Sequence, residues 1–86
     1  VTGDIIRYQI AHLQLLDGDL ETAISTLAEL ESGFYAELAL VMRAEILDYL
    51  QGNFSAAVDL YLQFLQDHPE SIYYDNVRSR LRVLAG

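Results

Sequence analysis

The sequence predicts an all-α chain of antiparallel helix–turn–helix repeats, stacked as a short α-solenoid of about five helices. Three observations carry that expectation. Gly18, Gly52 and Gly86 stand at 34-residue intervals, and the sets Leu13, Leu47, Leu81 and Leu16, Leu50, Leu84 keep the same step. A fixed period in this range marks an array of supersecondary units, each stacked on its neighbour. Glycine and proline punctuation cuts the chain into five stretches with apolar residues at helical spacing. No segment sustains the strict apolar–polar alternation of a half-buried strand.

The first stretch, residues 4–16, carries Ile6, Ile10, Leu13 and Leu16 on one helical stripe, widened by Ile5 and Leu15. Asp17-Gly18-Asp19 ends it, and Asp19 is placed to cap the next helix. That second helix, about 20–31, repeats Leu20, Ala23, Ile24, Leu27 and Leu30 at i, i+3, i+4, i+7 spacing, and Ser32-Gly33 closes it. The third, about 35–50, carries Leu40, Ala44, Leu47 and Leu50 and turns at Gln51-Gly52-Asn53, with Asn53 as the cap. The fourth, about 54–67, shows Phe54, Ala57, Val58, Tyr61, Phe64 and Leu65, whose aromatic members read as core. Proline cannot continue a helical ladder and restricts the residue before it, so His68-Pro69 stops this helix. The fifth, about 71–85, opens with Ser71 as its cap. Its acids Glu70 and Asp75 lie near its start and Arg78, Arg80 and Arg82 toward its end, as the helix dipole favours. Connections of two to four residues make successive helices antiparallel neighbours.

Length allows a single domain. At 86 residues such a chain buries little more than roughly 60% of its unfolded surface. An apolar fraction of 52% excludes disorder. The chain starts at Val1 and ends on a repeat signal, so it reads as a piece of a longer array, with some apolar surface meeting a preceding or following segment. There is no cysteine, which removes disulfides and thiolate metal sites and leaves the compartment open. No apolar run reaches the ~18 residues of a membrane span, so direct membrane insertion is not expected. Net charge is −8, concentrated as −10 over residues 1–70 and reversed to +2 over residues 71–86. Such a field disfavours nucleic acid and favours basic partners.

The turn and second helix resemble the tetratricopeptide repeat. Gly52-Asn53-Phe54, Ala57, Tyr61 and His68-Pro69 follow that motif in order and spacing, and Gly18-Asp19-Leu20, Ala23 and Leu27 follow it one repeat earlier. The resemblance implies a single right-handed repeat domain over residues 1–86. Repeat 1 falls at about 4–33, repeat 2 at about 34–69, and a half repeat or capping helix at about 70–86. Glycine permits the tight reversal between helices, and alanine at positions 23 and 57 lets the two helices of a unit approach closely. The chain also departs from the family. Positions that usually hold a small residue and an aromatic read Ala11 with Gln14 and Glu45 with Asp48. The two acids suit no apolar contact, so the third helix is expected to be rotated or re-registered. The first repeat lacks a closing proline. The segment from His68 to Asp75, followed by Arg78, Arg80 and Leu81, resembles a junction common in bacterial cell-envelope repeat proteins, which leans toward that origin.

The resemblance also implies that first helices line a concave groove. Steps of 34 residues give Ile5, Tyr8, His12 and Leu15, then Ala39, Met42, Ile46 and Tyr49, then Tyr73, Asn76, Arg80 and Val83. Tyr8, His12, Met42, Ile46, Tyr49, Tyr73 and Arg80 are the candidate peptide-binding residues. A register shift of one residue would put part of this stripe in the core instead. Some family members clamp acidic C-terminal peptides with basic and asparagine side chains, but the corresponding positions here are Tyr8, His12, Met42 and Ile46, so that recognition is not expected.

Catalytic, cofactor and metal residues are not predicted. There is no glycine-rich phosphate loop, no Gly-x-Ser-x-Gly and no His-Glu-x-x-His. Asp17-x-Asp19-x-Glu21 lacks the remaining ligands of a calcium loop and reads as a capped turn. His12 has no second histidine at i+4, and His68 reads as a helix C-terminal residue. The arginines of the fifth helix read as a solvated face, with an acidic partner as the alternative. The expected function is therefore a non-enzymatic scaffold that binds a peptide or helical segment of another protein. The alternative is a self-associating or spacer module within a larger protein.

Overall fold

The computed structural model describes residues 2–30 and 33–86. Among the described residues five helices follow in order: α1 (Thr2–Leu16), α2 (Leu20–Ala28), α3 (Phe34–Glu45), α4 (Phe54–Asp67) and α5 (Tyr74–Ala85). A π-helical turn, Ile46–Leu50, continues α3. Each helix packs on the next in sequence, and α1 also meets α3. The pairs α1–α2 and α3–α4 are therefore two units joined through α3, which meets both helices of the first, with α5 opening a third.

Both predicted glycine turns are present. Gly18 has φ +82° and Gly52 φ +64°, in the left-handed region where a side chain is strained. At the first turn Asp19 N–H bonds Gln14 C=O at 2.9 Å and Gly18 N–H bonds Leu15 C=O at 3.1 Å, a Schellman closure. Asn53 caps α4 as expected, its Oδ1 accepting from Ala56 N–H at 3.3 Å. Asp19 occupies the corresponding place before α2, but its side chain makes no cap bond.

Two hydrophobic clusters form the core, and α3 separates them. Ala11, Ala23, Leu27, Leu30, Ala39 and Ile46 make the first. Leu40, Ala44, Ala57, Tyr61, Phe64 and Val77 make the second. Ala23 and Ala57 are fully buried, as close helix approach requires.

The π turn explains how the divergent second unit fits. Gln51 N–H reaches back five residues to Ile46 C=O, and Asn53 N–H reaches Leu47 C=O at 2.8 Å. One more residue is thus enclosed than at the first turn. A π turn absorbs one extra residue within a helix. Residues of α3 before the bulge therefore correspond to those of α1 at a step of 33 rather than 34. Ala11 and Ala44, 33 apart, are both fully buried. Glu45, which a 34-residue step sets in the tight contact, lies outside it and is exposed.

Four further expectations are corrected. The stripe Ile6, Ile10, Leu13 and Leu16 faces outward, with Leu13 61% and Leu16 81% exposed, because α2 and α3 cover the Tyr8–Ala11–Leu15 side of α1. The second helix ends at Ala28, where Glu29 and Leu30 N–H groups bond carbonyls three residues back and tighten the chain into a turn; Ser32, assigned to its closure, lies outside the described residues. Phe54 is 52% exposed, because it is the first residue of α4, a full turn before the buried face begins at Ala57. The fifth helix starts at Tyr74 rather than after Ser71. The Ser71 hydroxyl accepts from Tyr73 N–H at 3.0 Å and donates to Glu37 of α3, holding a turn ahead of the helix.

Candidate functional site

At the junction of the π turn, α4 and α5 lies a buried polar cluster. Asp48 is buried, its side chain wholly shielded from solvent. Arg80 Nε and Nη2 donate to its two carboxylate oxygens at 2.7 Å each, a bidentate grip. The Tyr61 hydroxyl donates to the same carboxylate at 2.8 Å. These bonds, led by the Arg80 guanidinium, hold the Asp48 carboxyl below the usual carboxylate range against the opposing effect of burial. Tyr61 is pushed up by burial and by its bond to Asp48, and Arg80 is raised by Asp48. The first unit has a smaller analogue, in which Thr26 Oγ1 of α2 donates to Gln14 Oε1 of α1 at 2.8 Å. In both units the departure from an aromatic residue is thus met by a hydroxyl on the second helix.

Beside the cluster a cavity of about 250 Å³ opens between α3 and α5, lined by Val41, Glu45, Tyr49, Tyr61, Tyr73, Asn76, Val77 and Arg80. Tyr49 is 60% exposed, and the Arg80 guanidinium lies over its ring at 4.7 Å from the centroid. Partial burial and the nearby Asp48 charge raise the Glu45 carboxyl above its ordinary value. Tyr8 is raised by burial first, then by Tyr73, Tyr35 and Glu45. A second, more open cavity of about 570 Å³ is lined by Ile5, Tyr8, Gln9, His12, Leu13 and Tyr35. Within it the Tyr8 ring meets His12 edge-on at 4.7 Å and Tyr35 at 5.2 Å.

The candidate residues therefore fall into three groups. Tyr49, Tyr73 and Arg80 share the first cavity, and Tyr8 and His12 share the second. Met42 packs half-buried against the first core cluster. Ile46 is only 2% exposed and belongs to that core, so it offers the groove no surface; as the first residue of the π turn it points at α1 and α2 instead. Ala39, in the same stripe, is buried too. Sequence reasoning treats Glu45 and Asp48 only as misfits, yet they supply the negative charge of the site. The signal was present: two acids three residues apart in an apolar helix, with an arginine 32 residues after the second.

Residues 38–71 match the family model of the tetratricopeptide repeat. That segment is a tetratricopeptide repeat. The matched segment runs from α3 through the π turn and α4 to Ser71, so the Asp48 position lies inside the family motif. A search of curated proteins and a search of solved structures each gave no match. Tetratricopeptide repeats in general mediate protein–protein interaction and are non-enzymatic scaffolds. Among the described residues no helix is long and apolar enough to cross a membrane.

Proposed function

We propose that the chain is a protein-interaction scaffold that holds a peptide or helical segment of a partner in a groove formed by the first helices α1, α3 and α5. The observation behind this reading is the tyrosine-lined cavity between α3 and α5, where Tyr49 and Tyr73 present aromatic surface that the chain's own helices leave partly uncovered. Tyrosine is enriched where proteins meet because it combines a rigid apolar body with a polar tip. Site-specific photo-crosslinking tests the reading. A benzophenone residue at Tyr49 should capture a defined partner peptide, identified by mass spectrometry, while the same residue at exposed Asp59 of α4 should not. Equal capture from both positions, or capture from Asp59 alone, would refute groove binding.

A second reading, self-association, is favoured by the outward apolar stripe Ile6, Ile10, Leu13 and Leu16 of α1. An exposed helical face of this kind seeks burial. Sedimentation at micromolar concentration decides it: a folded monomer there removes self-association.

A further inference from the structure

We propose that the cavity between α3 and α5 takes the cationic side chain, lysine or arginine, of a basic peptide segment. This rests on the groove reading above and adds the chemistry of the partner.

The charges lining the cavity make the case. The lining holds Glu45 and Arg80, and the buried Asp48 behind the wall neutralises Arg80, so Glu45 is left as the uncompensated charge. The positive charge is already committed. Arg80 spends the two-donor edge of its guanidinium on Asp48, the edge that an incoming carboxylate would need. Glu45 is different. It lines the cavity, and among the described residues no cation stands within ion-pair distance of it. Partial burial and the Asp48 charge already disfavour its ionised form. An arriving ammonium or guanidinium relieves that cost, whereas an arriving carboxylate deepens it.

The walls suit the same ligand. Tyr73 and Tyr49 border the cavity, and Tyr49 already carries the Arg80 guanidinium against its ring, which shows these phenol faces accepting a cation. Asn76 adds a neutral polar group at the mouth. A space of about 250 Å³ accommodates one long side chain rather than a whole helix. At longer range, the net charge of −8 draws a basic segment toward the molecule.

The test is an amide NMR titration with three synthetic twelve-residue peptides, identical except for lysine, glutamate or norleucine at the same three positions. The lysine peptide should shift the amides of Glu45, Tyr49, Tyr73 and Asn76. Glu45→Gln, with unchanged circular dichroism, should weaken it by about fivefold, and Glu21→Gln, an exposed acid on α2, by less than about twofold. Equal weakening in the two variants would mean diffuse attraction to an acidic surface and would overturn the proposal. Glutamate or norleucine peptides that bind the same residues as tightly would also overturn it, while leaving the groove reading standing. If none of the three peptides moves the groove amides, both fall.

Discussion

Replacing Asp48 by alanine removes the acceptor of three hydrogen bonds, two from Arg80 at 2.7 Å and one from Tyr61 at 2.8 Å. The Tyr61 hydroxyl then stays buried with no acceptor, which costs about 1–3 kcal/mol. Arg80 keeps partial access to water, so its own loss is screened and adds little. The expected destabilisation is about 2–3 kcal/mol. For a domain of this length 1 kcal/mol moves the melting temperature by about 4–8 °C, so the fall should be about 10–20 °C. Thermal circular dichroism at pH 7 measures it, with Tyr61→Phe and the double variant completing a mutant cycle. A fall below about 3 °C, or strict additivity of Asp48→Ala and Tyr61→Phe, would refute the claim that Asp48 and Tyr61 form one buried stabilising cluster. The pH dependence follows from the lowered Asp48 carboxyl. Below an ordinary carboxylate value of about 4 the unfolded chain takes up the proton before the native chain does, so stability rises with pH in that window. The native contribution is complete above the window and is lost as pH falls through the folded value, and Asp48→Ala should flatten that part of the curve.

Other substitutions test the remaining features. Gly52→Ala puts a side chain at φ +64° with open space around it, so backbone strain alone should cost about 1 kcal/mol in chemical denaturation. Ala44→Leu should destabilise by about 1–3 kcal/mol through overpacking, whereas Glu45→Gln should raise the melting temperature at pH 7. The sign of the latter follows from the raised Glu45 carboxyl: the native chain holds that proton more tightly, so ionisation costs stability as pH rises through its range. Phe54→Ala should change stability by less than about 0.5 kcal/mol if the ring is as exposed as the structure places it.

The repeat turns were legible because their chemistry is local. Gly18 and Gly52 need only their own φ angles, and Ala23 and Ala57 answer to a single close approach. The bulge at Ile46–Leu50 was legible only as a misfit of Glu45 and Asp48. Apolar periodicity does not say whether a carbonyl is met four or five residues on, and equal glycine spacing conceals an extra residue taken up inside the helix. The outward stripe of α1 and the exposed ring of Phe54 were hidden for a related reason. A helical pattern shows which residues share a face, and only the neighbouring helices determine which face is covered. Of the candidate site, the tyrosines came from the repeat step, while the role of Arg80 needed the three-dimensional meeting with Asp48.

The bidentate pair also has a consequence for curvature. In a helical array, the spacing between successive first helices sets how sharply the whole structure bends. Packed apolar side chains set that spacing softly, since they slide and change rotamer. Here two hydrogen bonds of 2.7 Å join α5 to the turn that follows α3. They add a link of fixed length to the apolar packing of Val77, so bond geometry as well as side-chain volume governs the bend at this joint. Exchanging Arg80 for the singly bonding lysine would keep the charge and release the angle.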